Sequence, residues 1–477
     1  MLYVILFMGS KVFQREANKM KYIGLYNFIA DAIESLALQK EEIYKKYKAL
    51  SVSKRKEINQ RLAKLFPELY FENLRYSEIT EDILSDDLIQ RLGKFKEACK
   101  YKKEYFELIQ LLENLDKGLS KRMTIEIEIC VEENVTAGLN SNINETGIVI
   151  LPRCRCGWER KGRGGAYRDE LRQFLHHIFY IDKNKLDGLE IQNVFLSGPL
   201  TNNEKNRLRI AVSPLSADVK LNTEFEEDKH GVRTFRINGL ENIENIAERI
   251  ELILKKSQEE EQDMILFPEI LGTREVVNEI IGKLQRAEIF DIEKKNPLLI
   301  FMPSIWENRY NECVVVTGEG EIKCSQRKQN GFLYPSENTN AIEDIVADKK
   351  ICLMHMNGIG RLAVLLCKDF LTNSYRDIFL SQLETKLMIV PSFSTGEFDF
   401  SLIGEQCKAD DCCVVWCNTC SVKHLMDEKK QENLDTIAFL QKSGKHRGMK
   451  KEEFKREQKC RDGQCKKLCL FTGELIL

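Results

Sequence analysis

Glu269, Lys328 and Cys367 are the residues of this chain whose types and settings could break a covalent bond together. Glu269 closes Met-Ile-Leu-Phe-Pro-Glu269, a carboxylate held behind a proline at the exit of an apolar strand. Lys328 closes Glu-Ile-Lys-Cys-Ser-Gln-Arg-Lys328, where it follows a hairpin strand, and Cys367 leaves Leu-Ala-Val-Leu-Leu-Cys367-Lys-Asp369 for a sharp turn. Strand ends in α/β sheets are where ligands commonly bind. A carboxylate so placed suits a general base and a thiol suits a nucleophile. Taken singly, each residue has an ordinary explanation, since a cysteine after an apolar strand is usually core and a Glu or Lys is usually solvated. Their order carries more weight, with 59 residues from Glu269 to Lys328 and 39 from Lys328 to Cys367.

That ordered set resembles the nitrilase superfamily, the carbon–nitrogen hydrolases. Further matches are the first strand Arg209-Ile-Ala-Val212, the Gly318-Glu-Gly320 hairpin before Arg-Lys328, Met-Ile-Val-Pro-Ser392, and Gln406 to Asn418 as a helix and a strand ending in Asn. The resemblance covers about 208 to 477 and none of the first 200 residues. It implies a nitrilase-like four-layer αββα sandwich. It also implies that Cys367 attacks an amide, N-carbamoyl or nitrile carbon to give a thioester or thioimidate, with Glu269 moving the protons. Lys328 and the backbone N–H of Lys368 would hold the oxyanion, and Glu337, in Tyr-Pro-Ser-Glu337, would orient the lysine. A small amide or nitrile substrate, a homodimer and no cofactor or metal follow from the same likeness. Two features depart from the family pattern. Gln329, Asn330 and Gly331 stand where many members have a histidine, and Phe370, Leu371 and Thr372 match no single branch, which leaves the substrate open.

The elements that must position these residues read as an α/β domain over 207–477. Strands are expected at Arg209–Val212, Met264–Phe267, Leu298–Met302, Glu312–Thr317, Ile322–Ser325, Leu362–Leu366, Leu387–Val390, Val414–Cys417 and Leu468–Leu477. Amphipathic helices are expected at Ile243–Lys256 and Val276–Leu284, and the basic stretch Lys442–Lys467 reads as an insertion or helix. Residues 1–120 read as helical, with apolar positions such as Phe28, Ile29, Ala32, Ile33 and Leu36 at helical spacing, a long helix through Tyr44 and Tyr47, and breaks at Ser51–Ser53 and Ser77–Asp87. Residues 121–206 read as a small α+β segment. In it, Ile125, Ile127, Ile129 and Val131 alternate with polar neighbours like a half-buried strand. Ile148–Leu151 makes a second strand, and Leu171 to Ile178 a helix bearing His176 and His177.

Between the last two lies a Gly-rich basic loop, with Arg153, Arg155, Arg160, Lys161, Arg163 and Arg168 against one Glu. Such a loop could take phosphate or nucleic acid, or simply be solvated, and its spacing fits no P-loop or dinucleotide fingerprint. It supports a rival reading, a nitrilase-like accessory of a nucleic-acid-linked machine of the reverse-transcriptase, anti-phage type. A third reading is a non-catalytic scaffold. Neither Asp86-Asp87 nor Asp410-Asp411 has a polymerase setting.

Composition excludes little: 43% hydrophobic, 31% charged and a net charge of −2 describe an ordinary globular chain. The run Leu2 to Met8 has no basic flank or cleavage site and no apolar run reaches membrane-spanning length, so a cytoplasmic protein with reduced thiols is expected. Most of the 16 cysteines then serve as small buried hydrophobes. Cys460, Cys465 and Cys469 fall off zinc-knuckle spacing, and Cys417 with Cys420 overlaps a buried strand end.

Overall fold

The computed structural model describes residues 21–39, 41–70, 76–134, 137–160, 170–198, 207–334, 340–426, 435–446, 451–456 and 468–477. The chain divides into two compact units, Met1–Cys154 with Gly162–Gly188, and Arg155–Lys161 with Leu189–Leu477. The helical part and the following β-pair form one unit, and the strand Glu190–Leu196 belongs to the second.

The first unit is built on Tyr105–Gly118, a helix buried nearly all round. Against it pack a helix over 21–37 and the helices Glu42–Lys48, Val52–Leu65, Asp86–Lys102 and Ser120–Glu132, which share one apolar core. Ser51 and Ser85 cap two of them, their hydroxyls accepting from the N–H groups of Lys54 and Leu88. The helix through Tyr44 and Tyr47 is only seven residues long, because the chain turns at Ala49 towards the Ser51 cap.

Two local expectations fail in this unit. Ile125 to Val131 is helical, part of Ser120–Glu132, which buries Met123, Glu126, Ile127 and Cys130 at helical spacing and leaves Ile125 exposed. Buried Glu126 takes the Arg122 guanidinium at 2.7 Å and the Tyr26 hydroxyl at 3.1 Å, a tertiary anchor that alternation cannot report. Leu171–Phe174 is a short 3₁₀ turn, and Ile178–Asp182 is a strand paired antiparallel to Ile148–Pro152. The switch is made by Asp116, whose buried carboxylate accepts the backbone N–H groups of His176, His177 and Ile178 at 2.8, 2.9 and 2.8 Å. Those donors face a side chain rather than a helical carbonyl. Asp116→Ala should lower stability by about 3 kcal/mol or more, since three donors lose a charged acceptor. Urea unfolding measures this, and an unchanged midpoint would refute it.

In the second unit two seven-stranded sheets face each other. The first runs Ile322–Arg327, Tyr310–Val316, Leu299–Phe301, Met264–Leu266, Arg207–Val212, Phe471–Ile476, with Ile305–Glu307 beside Tyr310–Val316. The second runs Glu452–Lys455, Thr436–Gln441, Cys413–Cys417, Leu387–Pro391, Gly360–Val364, Lys350–Met356, Glu190–Leu196. Side chains of both inner faces, among them Ile210, Leu266, Phe301, Met354, Leu362 and Ile389, fill one core. The helices Ile246–Glu259 and Arg274–Gln285 cover the outer face of the first sheet through Ile250, Leu254, Ile280 and Leu284. Phe398–Cys407 covers the second, where the rings of Phe400, Trp416 and Phe439 pack in series at 5.2 Å. This is the expected four-layer αββα sandwich. Lys442–Lys467 contributes the strand Glu452–Lys455 in its described part rather than a helix, pairing with Thr436–Gln441.

A third, small sheet was not foreseen. It consists of the hairpin Lys220–Glu227 and Arg233–Glu241, joined by Ala341–Glu343 and Leu333–Tyr334. Asp228 closes the hairpin by accepting the N–H groups of His230 and Val232. No helix among the described residues is long and apolar enough to cross a membrane.

Candidate active site

Glu269, Lys328 and Cys367 line a single cavity of about 50 Å³. Glu269 follows the central strand of the first sheet, Lys328 its edge strand, and Cys367 a strand inside the second, so the fold gathers residues distant in sequence at neighbouring strand ends. All three are buried. Burial of paired charges is costly unless every lone pair and proton is met, and here the partners are present.

Glu269 Oε1 accepts from Lys328 Nζ and from Asn311 Nδ2, both at 2.8 Å, while Oε2 accepts from the Phe393 N–H at 2.9 Å. The Ser304 hydroxyl holds Asn311 by donating to its Oδ1 at 2.7 Å, and accepts the Ile270 N–H at 2.8 Å. Ile270 has a left-handed φ of 69°, which turns the chain sharply after Glu269. Lys328 Nζ also donates to Glu343 Oε2 at 2.6 Å. Glu343 is fixed in turn by the Phe332 N–H at 3.0 Å and the Trp306 indole at 3.2 Å. Glu337 lies outside the described residues, and the second carboxylate that the structure sets against Lys328 belongs to Glu343.

These contacts set the protonation states. Burial disfavours a charged lysine, but Glu269 and Glu343 outweigh it and hold the Lys328 ammonium well above its usual range. Burial raises the Glu269 carboxyl against the pull of Lys328 and the Phe393 N–H. The Cys367 thiol is pushed up by burial and by the Glu269 charge, with Lys328 and the Phe393 N–H acting the other way. The thiol is therefore held in its neutral form at rest, beside Glu269 and a locked ammonium.

Cys367 sits at φ 45°, ψ −98°, a strained conformation for a residue with a side chain. Its N–H donates to the Pro391 carbonyl at 3.0 Å, which pins the turn to the neighbouring strand. Lys368 opens the helix Lys368–Leu371, and its N–H has no acceptor among the described residues. Asp369 ties this turn to the loop after Lys328, accepting from the Gln329 N–H at 3.1 Å and from the Asn330 N–H and side-chain amide at 2.8 Å.

Burial lifts the Asp369 carboxyl to about 7 despite those donors. A raised carboxyl favours the folded state most below its unfolded value near 4, and that contribution is lost as pH rises through about 7. Asp369→Asn, neutral throughout, should therefore gain on the wild type between pH 4.5 and 7.5 by on the order of 2–4 kcal/mol. Paired denaturation curves measure the difference, and a gap independent of pH would refute it.

Of the basic-loop residues, Lys161, Arg163 and Arg168 lie outside the described residues. Arg160 is engaged within the second unit, its guanidinium bound by Asp411 and the Ala409 carbonyl. The Arg155 N–H donates to Asn357 at 3.2 Å, and Arg153 is half-buried in the first unit. Cys460 and Cys465 are also outside the description, while most of the described cysteines are buried, Cys417 and Cys420 among them. Sequence reasoning missed Asn311, Glu343 and the hairpin. The hairpin had a signal in the alternation of Leu221, Thr223 and Phe225 before Gly231 and of Phe235 and Ile237 after it.

No family model matches the sequence, and no curated protein matches it. Among solved structures it is similar to an amidase of the nitrilase superfamily from Nesterenkonia, at 14% identity and a TM-score of 0.37, covering 56% of this chain and 90% of that one. A variant of a Nesterenkonia amidase carrying the acetamide moiety of fluoroacetamide on its active-site cysteine matches at 14% and 0.30, over 44% and 76%. The Caenorhabditis elegans NitFhit protein matches at 14% and 0.31, over 45% and 51%.

Proposed function

We propose that the second unit is a carbon–nitrogen hydrolase of the nitrilase type, acting on a small amide, N-carbamoyl group or nitrile through a covalent intermediate on Cys367. The observation that carries this is the shared cavity in which a thiol meets a carboxylate and an ammonium held between two carboxylates. For an amide, Sγ attacks the carbonyl carbon and the π pair moves to oxygen, which Lys328 Nζ and the Lys368 N–H stabilise. Glu269 takes the thiol proton and delivers it to the leaving nitrogen as the C–N bond breaks. Water then attacks the thioester and gives a proton to Glu269. The C–S bond breaks, the acid departs, and the proton returns to sulfur.

A thiol that stays protonated at rest suits this order, because the proton leaves only when an electrophile is present to accept the sulfur pair. Glu343, rather than Glu337, is the second carboxylate of the proposal. A homodimer and a reducing compartment complete the reading, and a monomer at micromolar concentration in equilibrium sedimentation would contradict the former. Mass spectrometry after incubation with amides, carbamoyl compounds and nitriles tests the chemistry. An adduct on Cys367 that is absent from Cys367→Ala supports it. Iodoacetamide reactivity at Cys367 no greater than at the other cysteines sinks it.

A further inference from the structure

Above the three polar groups, the cavity is walled by the small sheet. Leu221, Thr223 and Phe225 on one hairpin strand and Phe235 and Ile237 on the other face inward, with Phe332 beside them. The register pairs Phe225 with Phe235 and Thr223 with Ile237, and alternation along each strand puts these side chains on one face, with Asn238 bulged out of the second strand. The rings of Phe225, Phe235 and Tyr334 form a cluster with centroids 5.8–6.2 Å apart. Phe225 is 38% exposed and carries the Arg233 guanidinium on its ring at 4.6 Å, so it stands at the outer rim while Phe235 lies deep. Glu343, which holds Lys328, is the register partner of Phe235 in the same sheet. The wall and the lysine clamp are thus one element.

The charges in the cavity are Glu269, Lys328 and Glu343, and they satisfy one another. An open groove continues past Ile237 and Ile270, but its arginines are also engaged, Arg236 and Arg309 by Asp344 and Arg274 by Glu307 and Glu312. Among the described residues lining the cavity, every charge is thus paired with another, and burying a substrate carboxylate or ammonium there unpaired is costly.

We propose that the cavity takes an uncharged, apolar acyl group of a few carbons, and that Phe225 is the residue that limits its length. This rests on the hydrolase reading and specifies its substrate class. The hairpin selects by size and by exclusion of charge, while the groups at the strand ends do the chemistry.

The test compares kcat/KM for propionamide, hexanamide, benzamide and the singly charged half-amide of succinic acid, in wild type, Phe225→Ala and Phe225→Leu. Wild type should prefer propionamide to the anionic half-amide by at least about 10-fold. Phe225→Ala should raise the hexanamide-to-propionamide ratio by about 10-fold or more, the scale of a few methylenes in an apolar pocket, with Phe225→Leu in between. A preference for the anion, or a ratio unmoved by both variants, overturns the proposal. Alkylation of Cys367 by neutral iodoacetamide and anionic iodoacetate, each normalised to free cysteine, separates the two readings. Preference for the neutral reagent with no turnover of any amide defeats the hydrolase reading and sustains the cavity assignment. Preference for the anionic reagent defeats the assignment itself.

Discussion

Cys367→Ala should abolish both adduct formation and turnover, with kcat falling by about 10⁴-fold or more, the scale seen when a covalent nucleophile is removed from an otherwise intact site. The reason is that neither of the other two groups at the strand ends can form the acyl intermediate. Lys328 is held protonated by two carboxylates and has no free pair, and Glu269 is occupied by three donors. The variant should also fold. The side chain is small, and the turn is pinned through the backbone N–H to Pro391, which alanine retains. Turnover measured beside the thermal midpoint separates chemistry from folding. Activity within 10-fold of wild type would mean that catalysis does not pass through sulfur.

The second large effect is expected at Lys328. Lys328→Met keeps the volume but removes the cation between Glu269 and Glu343, leaving two buried carboxylates facing an apolar side chain. Breaking a buried ion pair by deleting one partner destabilises by roughly 3–5 kcal/mol, and loss of an oxyanion donor lowers kcat by about 10²–10³-fold. The pH dependence carries the sign. With the cation gone, the buried Glu269 carboxyl loses the charge that draws it down and is raised further above its unfolded value near 4.3. Its contribution to stability is then present below that pH and lost as pH rises, so the deficit against wild type should widen from pH 4 to pH 7. In the wild type Lys328 works in the opposite range: its raised value keeps its contribution intact below about 10, the unfolded lysine value. Adding Glu343→Gln to Lys328→Met should recover part of the stability, because one buried charge fewer remains, and none of the activity. A double variant as unstable as the single one would show that Glu343 and Lys328 are not energetically linked.

Legibility differed by element. Continuous apolar strands such as Leu387–Pro391 and Cys413–Cys417 were read nearly to the residue, because strands buried on both faces must be apolar throughout. The helices Ile246–Glu259 and Arg274–Gln285 were read from their one-sided apolar spacing. Where periodicity was ambiguous, burial decided. Ile125 to Val131 satisfies a period of two, yet Met123, Ile127 and Cys130 also satisfy a helix, and the buried bond between Glu126 and Arg122 selects the helix. Leu171 to Ile178 looked helical until Asp116, some sixty residues earlier, took its backbone donors.

The sequence by itself determined which residues could do chemistry, in what order, and at which strand ends, because reactive side chains behind apolar strands are local features. Strand and helix patterning over 207–477 also determined an α/β domain with its sheets under helices, while the four-layer arrangement came from the family resemblance. Only the tertiary structure decided that Lys328 is shared by Glu269 and Glu343, that Asn311 and the Phe393 N–H complete the carboxylate's partners, and that a hairpin walls the cavity. Those are contacts between distant segments, and the protonation states they impose arise from burial. Charge pairing in a low-dielectric interior depends on distances that no local pattern encodes.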